Sequence, residues 1–192
     1  VSIRIISRRE HSRPPARVTL VQAIAKGTAM EGLVHRAVEL GCGRIIPLLA
    51  ERSVSRPEDG ESKREKWQAI ADEACKQSGN PWRLLVERPI TPTAWLADRV
   101  PDELLLIGSL ADAPTPLRKR FAEFRSRTGT HPKSVSVLVG PEGDFSPAEY
   151  ALFREAGAQA ITLGPLVLRV ETAATVLLGL VAQELAAEVR GA

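Results

Sequence analysis

Apolar residues along the chain fall into short solid runs, separated by longer stretches in which they recur every three or four positions. Val18–Ile24 (VTLVQAI), Arg44–Leu49, Trp82–Glu87, Glu103–Gly108, Ser134–Val139 and Ala158–Leu163 have the length and aliphatic content of strands buried on both faces. Between them, Ala29–Leu40 carries Leu33, Ala37 and Leu40 at helical spacing, and Ser62–Ser78 puts Trp67, Ile70, Ala71 and Ala74 on one face. Further helices are expected at Thr93–Asp98, Pro116–Thr128, Pro147–Ala156 and Thr172–Val189. Gly41 and Gly79-Asn80-Pro81 supply stops, and Ser146-Pro147-Ala148-Glu149 supplies a capping box with Pro at the first helical position. This alternation predicts an α/β domain with a mostly parallel sheet and helices on both faces. Val1–Ile6 reads as a further strand fragment.

Parallel sheets bind ligands outside the carboxyl ends of their strands, so the loops after Leu49, Gly108, Val139 and Leu163 are the places to look for chemistry. Two of them are unusual. After Val139 the chain runs Gly140-Pro141-Glu142-Gly143-Asp144, which is either a plain strand-to-helix turn or a backbone cradle for a ligand. After Leu163 it runs Gly164-Pro165-Leu166-Val167-Leu168-Arg169, an apolar connection where loops are ordinarily polar. Such a loop needs a cover, either protein or an apolar ligand face such as an adenine ring. Arg169 within it needs a partner, either a carboxylate such as Glu171 or Glu142 or an anionic substrate. The terminal helix is apolar nearly all round, which suits a sandwiched core helix or burial against a second subunit; a homodimer is favoured.

Composition narrows the class. The 192 residues are 44% hydrophobic and 26% charged, ordinary for one globular domain. No apolar run approaches the ~18 residues of a membrane span, so a protein without membrane association is expected. Cys42 and Cys75 form no CxxC, and His11, His35 and His131 have no metal-ligand spacing, so neither structural zinc nor another metal is expected and a reducing, cytoplasmic compartment is. The net charge is only +3, but Arg4, Arg8, Arg9, Arg13 and Arg17 crowd the first seventeen residues. Arg118, Lys119, Arg120, Arg125, Arg127 and Lys133 crowd 117–133. These are solvated faces or contacts for a polyanion such as nucleic acid.

One motif is a decoy. Glu39-Leu40-Gly41-Cys42-Gly43-Arg44 imitates the acidic, Gly-rich loop of Rossmann-type methyltransferases, but those glycines must follow a strand and open a helix. Here a helix precedes Gly41 and a strand follows Gly43, so they read as a C-cap and a helix-to-strand turn. GxxxxGK[ST], GxSxG and HExxH are absent from the sequence.

The two unusual loops together, LVGPEGDFSPAEY at 138–150 and LGPLVLRVETAA at 163–174, resemble the signature of the RsmE family, the ribosomal RNA uridine N3-methyltransferases of the SPOUT superfamily. The resemblance extends upstream through QAIAKGTAMEGLVHRAVELGCGRIIPLLAERSV and KWQAIADEACKQSGN, over about residues 18–190. It implies a SPOUT domain at 18–192 with a C-terminal trefoil knot, preceded at 1–17 by the remnant of a PUA-like barrel and a linker. It implies S-adenosylmethionine (SAM) as cofactor, small-subunit (16S) ribosomal RNA as partner and a homodimer. By the same resemblance Gly108, Gly140, Glu142, Gly143, Leu163, Gly164, Val167 and Leu168 bind the cofactor, and Arg169 faces the substrate.

The uracil N3–H is a weakly acidic imide, so its methylation needs the proton removed and the resulting anion stabilised. Arg169 suits the second task, because a guanidinium stays protonated and offers several donors. For the base, Glu142, Glu171 or water remain open. Three positions depart from the family pattern: Asp144 stands for a second Gly, Leu166 for an Arg, and Asn80 for another Arg. Loss of two cations weakens the expected RNA contacts, so a catalytically lapsed relative that binds RNA or cofactor without methylating is the rival expectation. An unrelated nucleotide-binding α/β protein is the third.

Overall fold

The computed structural model describes residues 4–12, 14–109 and 114–189, with side chains as far as Ala186. Its centre is a seven-stranded sheet in which every pairing is parallel, in the order β3-β2-β1-β6-β4-β7-β5. The strands are β1 (Arg17–Ala23), β2 (Arg44–Leu48), β3 (Leu85–Val86), β4 (Leu104–Gly108), β5 (Thr115–Pro116), β6 (Ser134–Val139) and β7 (Gln159–Thr162). The helices are α1 (Ala29–Glu39), α2 (Gly60–Ser78), α3 (Pro92–Asp98), α4 (Leu117–Thr128), α5 (Pro147–Glu155) and α6 (Val170–Val189).

Because side chains alternate along a strand, each aliphatic run feeds two cores. Val18, Leu20, Leu104, Leu106, Val135 and Val137 point to the layer of α1, α2, α4 and α6, where Phe121 and Leu177 are fully buried. Val21, Ala23, Leu105, Ile107 and Leu138 point to the layer of α3 and α5. There Phe145 stacks edge-on against Phe153 at 4.9 Å. Each large side chain removed from water in this way contributes about 1.5–3 kcal/mol.

Helix ends follow the expected signals. Asp59 caps α2 by accepting from Glu61 and Ser62 N–H, and Gly79 closes it in the left-handed region. The Ser146–Glu149 capping box forms in full at α5. Gly41 (φ +74°) ends α1 and Gly43 N–H donates to the Val18 carbonyl, the helix-to-strand turn expected of the decoy motif.

Several details differ from expectation. β3 shrinks to Leu85–Val86, because Pro81 and Pro89 flank it and Trp82 turns outward. β5 pairs with β7 although two residues carry no readable periodicity. α6 starts at Val170, two residues early, so that the Arg169 carbonyl accepts from Ala173 N–H at 2.8 Å. The strand fragment expected at Val1–Ile6 is not seen over 4–6, which carry no regular structure; residues 1–3 lie outside the described residues, as does Arg13 of the basic cluster. On α6, Ala174, Leu177, Leu178, Val181 and Leu185 are buried, whereas Val176 and Leu180 remain open. Among the described residues no helix is long and apolar enough to cross a membrane.

Candidate functional site

The strand order sets the carboxyl ends of β1, β6, β4 and β7 side by side, and their loops enclose a cavity of about 530 Å³. The loop after β6 forms one side. Pro141–Asp144 is a β-turn closed by Asp144 N–H donating to the Pro141 carbonyl at 2.9 Å. Gly140 is required by tightness: a Cβ there would meet Asp144 Oδ1 at 3.1 Å and Phe145 at 3.3 Å. Asp144 takes φ +60°, in the left-handed region that glycine enters most freely and Asp more readily than most other residues. Its carboxylate is consumed locally, accepting from Phe145 N–H and from the Tyr150 hydroxyl, each at 2.8 Å.

The loop after β7 forms the other side. Leu163, Leu166, Val167 and Leu168 line the cavity, and Leu166 and Val167 are more than 70% exposed. Among the described residues the amide N–H groups of Leu166, Val167 and Leu168 have no acceptor, so the loop offers apolar side chains and open donors together. Val139 and Ala173 add apolar surface, and Gly108 and Ser109 close the floor from β4.

Of the residues expected to bind a cofactor, Gly108, Gly140, Glu142, Leu163, Gly164, Val167 and Leu168 are brought together on this cavity. Gly143 does not line it. It lies behind the turn, where its carbonyl accepts from Arg52 Nη1 at 3.1 Å and where a Cβ would press on Arg52 Cβ at 3.3 Å. The loop after Leu49 likewise braces the turn from behind, Glu51 N–H donating to the buried carboxylate of Glu149 at 2.8 Å.

The three residues expected to act chemically, Arg169, Glu142 and Glu171, also line the cavity, but in different states. Glu142 Oε1 accepts from Lys26 N–H at 2.9 Å, tying the β6 loop to the β1 loop. Glu171 sits in the first turn of α6, and its carboxylate has no partner among the described residues. Arg169 is exposed and pairs with neither glutamate, so the structural ion pair entertained from sequence does not form.

Sequence reading missed Lys26, which enters from the loop after β1. The signal was available, since β1 is itself a parallel strand with its own carboxyl end. What the sequence hid was that β6 pairs with β1 and so brings Gly140–Asp144 beside Lys26. The departures at 80 and 166 separate in kind. Asn80 Nδ2 donates to the Val38 carbonyl and its Oδ1 accepts from Trp82 N–H, a structural clamp between α1 and the α2–β3 turn. Leu166 lies on the cavity itself. Cys42 is remote and buried, and desolvation pushes its thiol up to about 11, so it offers no thiolate at neutral pH. Among the described residues no group of His, Cys, Asp and Glu side chains could hold a metal ion.

An apolar slot with open backbone donors and flanking charges suits a nucleoside-bearing ligand, and comparisons with known proteins point the same way. Residues 12–182 match the family model of the RNA methyltransferase domain. Ribosomal RNA small subunit methyltransferase E of Aquifex aeolicus is 32% identical over 176 residues, covering 90% of this chain and 71% of its own length. The protein of the same name from Synechocystis is 31% identical over 88% of this chain, which spans only 54% of that relative. A crystal structure of ribosomal RNA small subunit methyltransferase E from Neisseria gonorrhoeae bound to S-adenosyl methionine superposes with a TM-score of 0.74. It shares 30% identity and covers 88% of this chain and 66% of its own. A signature read in two loops, a sheet that brings those loops together, and relatives alike across most of the chain agree: the chain belongs to the RNA methyltransferase domain family, among the RsmE proteins.

Proposed function

We propose that this chain transfers a methyl group from SAM to N3 of a uridine in small-subunit (16S) ribosomal RNA. The observation that carries the proposal is the juxtaposition of the open amides of Leu166–Leu168 with the unpaired Arg169 on one cavity. The donor set fits SAM: apolar side chains for the adenine faces, backbone N–H groups for its edge, and two chain turns that need no side chain at Gly140 and Gly164. Bound there, SAM supplies an electrophilic methyl on a sulfonium.

The protein's own residues do the rest. Arg169 holds the uracil and stabilises the charge that appears on N3 and its flanking carbonyl oxygens as the proton leaves. Three carboxylates line the cavity among the described residues; Glu142 and Asp144 each hold the turn after β6 through one oxygen, whereas Glu171 makes no such bond, so Glu171 is the group we assign to accept the N3 proton. Gly143 supports the turn through Arg52 and acts on the cofactor only through it.

The same reading includes the segment 163–170 as part of a trefoil knot, and the residues ahead of β1 as remnant and linker of a PUA-like barrel that adds RNA contacts, with Arg17 belonging to the sheet. It includes a cytoplasmic location, where ribosomal RNA is modified. A homodimer forms over α6, whose Val176 and Leu180 are open to solvent on an otherwise largely buried helix. One observation favours a second reading, a lapsed relative: Leu166 places a methyl-bearing side chain on the cavity where the family pattern has a cation.

Calorimetric titration with SAM and S-adenosylhomocysteine, followed by methyl transfer to unmodified small subunits with nucleoside analysis, tests the proposal. Saturable binding near one site per chain and 3-methyluridine in the product are expected. Binding without product, rescued by Leu166→Arg, establishes the lapsed reading instead, and absence of cofactor binding by the folded chain removes methyl transfer and leaves only a relative that binds RNA.

A further inference from the structure

The geometry points to Lys26 as a second substrate-facing cation, acting with Arg169 on the uracil anion; the inference rests on the methyl transfer proposed above. Lys26 lies on the β1–α1 loop and lines the same cavity as Arg169, which lies on the β7–α6 loop. Their parent strands are three positions apart in the sheet, roughly 14 Å at about 4.8 Å per strand, so the two cations approach the cavity from different sides.

Both are unspent. Among the described residues neither Lys26 nor Arg169 has a carboxylate within ion-pair distance, although Glu142, Asp144 and Glu171 all line the cavity. The carboxylate nearest in the hydrogen-bond network, Glu142, engages the backbone N–H of Lys26 and not its ammonium. That bond fixes the Lys26 backbone against the β6 turn across 116 residues of sequence. Gly27, at φ +65° with open space around it, then turns the chain away toward α1. Glu142 is therefore a positioning residue for Lys26.

The chemistry of the substrate asks for two cations. Loss of the N3 proton leaves a negative charge shared among O2, N3 and O4, so the charge has two oxygen ends flanking the reacting nitrogen. A single guanidinium covers one side. An ammonium from the opposite side covers the other and leaves N3 free to react. Placed so, Lys26 lowers the pH at which the bound uridine gives up its proton, because a positive charge close by favours the anion.

The test uses a short RNA carrying 5-fluorouridine as probe, bound to the chain with S-adenosylhomocysteine, with the fluorine resonance followed against pH. In the parent chain the ionisation midpoint of the bound probe is expected to fall by about one pH unit below that of the free RNA. In Lys26→Met it should return most of the way, and in Lys26→Arg it should stay low. Where methyl transfer is also followed, Lys26→Met should slow it by up to about tenfold near pH 7, the share of uridine anion lost when the midpoint returns by about one unit. The deficit should shrink as pH rises, since uridine then ionises without help.

A Lys26→Met midpoint equal to the parent's overturns the inference, and so does a rate deficit constant with pH. A more than tenfold loss of SAM affinity in calorimetry also overturns it, by assigning the cation to the cofactor's carboxylate. The two readings fail separately: a lowered midpoint abolished by Arg169→Met but untouched by Lys26→Met sinks the role of Lys26 alone. A parent chain that makes no 3-methyluridine sinks the proposed function, whatever the midpoint does.

Discussion

Asp144 offers a direct test of how the signature turn is held. It occupies a left-handed position at φ +60° that glycine would take without strain, yet its Oδ1 accepts two hydrogen bonds of 2.8 Å, from Phe145 N–H and Tyr150 OH. Hydrogen bonds to a charged acceptor contribute about 1.5–3 kcal/mol each; at this half-buried site the lower value applies, about 3 kcal/mol for the pair. The left-handed backbone costs Asp about 1 kcal/mol, less than most residues. Asp144→Gly gains the second quantity and loses the first, a net loss of about 2 kcal/mol. Asp144→Ala loses the bonds and adds strain, about 4 kcal/mol in all. Asp144→Asn keeps a weaker, neutral acceptor and should lose about 1 kcal/mol.

For a chain of this size 1 kcal/mol moves the melting temperature by about 2–4 °C, so the Gly variant should melt about 4–8 °C lower and the Ala variant about 8–16 °C lower. Differential scanning calorimetry of the three variants gives the order directly: Asp above Asn, Asn above Gly, Gly above Ala. SAM titration of the Gly variant should stay within about threefold of the parent, since the carboxylate is turned onto Phe145 and Tyr150. A Gly variant that melts at or above the parent would refute the reasoning, because strain would then outweigh the bonds.

Arg169→Met should leave SAM affinity nearly unchanged while slowing methyl transfer about 10²–10³-fold, read by calorimetry and single-turnover kinetics. Glu149→Ala strips a charged acceptor from Glu51 and Ser146 N–H and should lower the melting temperature by about 6–12 °C, with Glu149→Gln losing about half as much. Asp72 is held below the usual carboxylate range, chiefly by its hydrogen bonds from Arg83, so that pair stabilises above about pH 4 and ceases to do so as pH falls through the lowered value. Arg83→Met should therefore lower stability only slightly at pH 7, the pair being well exposed, and the difference should fade as pH falls through the lowered value, read in urea titrations. Iodoacetamide at pH 8 should modify Cys75 in the native protein and Cys42 only after denaturation, a difference read by mass spectrometry.

The elements were legible wherever a solid aliphatic run or a cap fixed them. Ser134–Val139 and the Ser146–Glu149 box sit where the sequence placed them, because burial on both faces and a reciprocal cap leave few alternatives. β3 and β5 were not legible as they are, since a two-residue strand is made by its neighbour and not by its own propensity. The loops after β6 and β7 announced themselves by turn chemistry and by apolar residues in an exposed connection. The state of the charges was hidden. Whether Arg169 pairs with Glu142 depends on what else Glu142 can reach, and that is Lys26 N–H, a partner supplied by the β1–β6 pairing. Leu166 and Asn80 look alike as lost cations in sequence, but one lines the cavity and the other clamps a turn.

The two sides of the cavity are built on different physical terms. The turn after β6 is braced at nearly every residue: Gly140 against Phe145, Glu142 to Lys26, Gly143 to Arg52, Asp144 to Tyr150. The loop after β7 has its amides open over Leu166–Leu168 and the apolar side chains of Leu166 and Val167 in solvent. A ligand seated between them meets one surface already in place and one it must order, so part of its binding free energy goes into fixing the loop. That loop ends at Arg169, whose carbonyl already belongs to the first turn of α6 through Ala173. Ordering Leu166–Leu168 on a cofactor therefore restricts the segment that carries Arg169 from one side while α6 anchors it from the other. On the proposed function the guanidinium should reach its substrate position only once the cofactor is in place, an order of assembly that a strand-to-helix loop with no internal hydrogen bonds at Leu166–Leu168 is suited to impose.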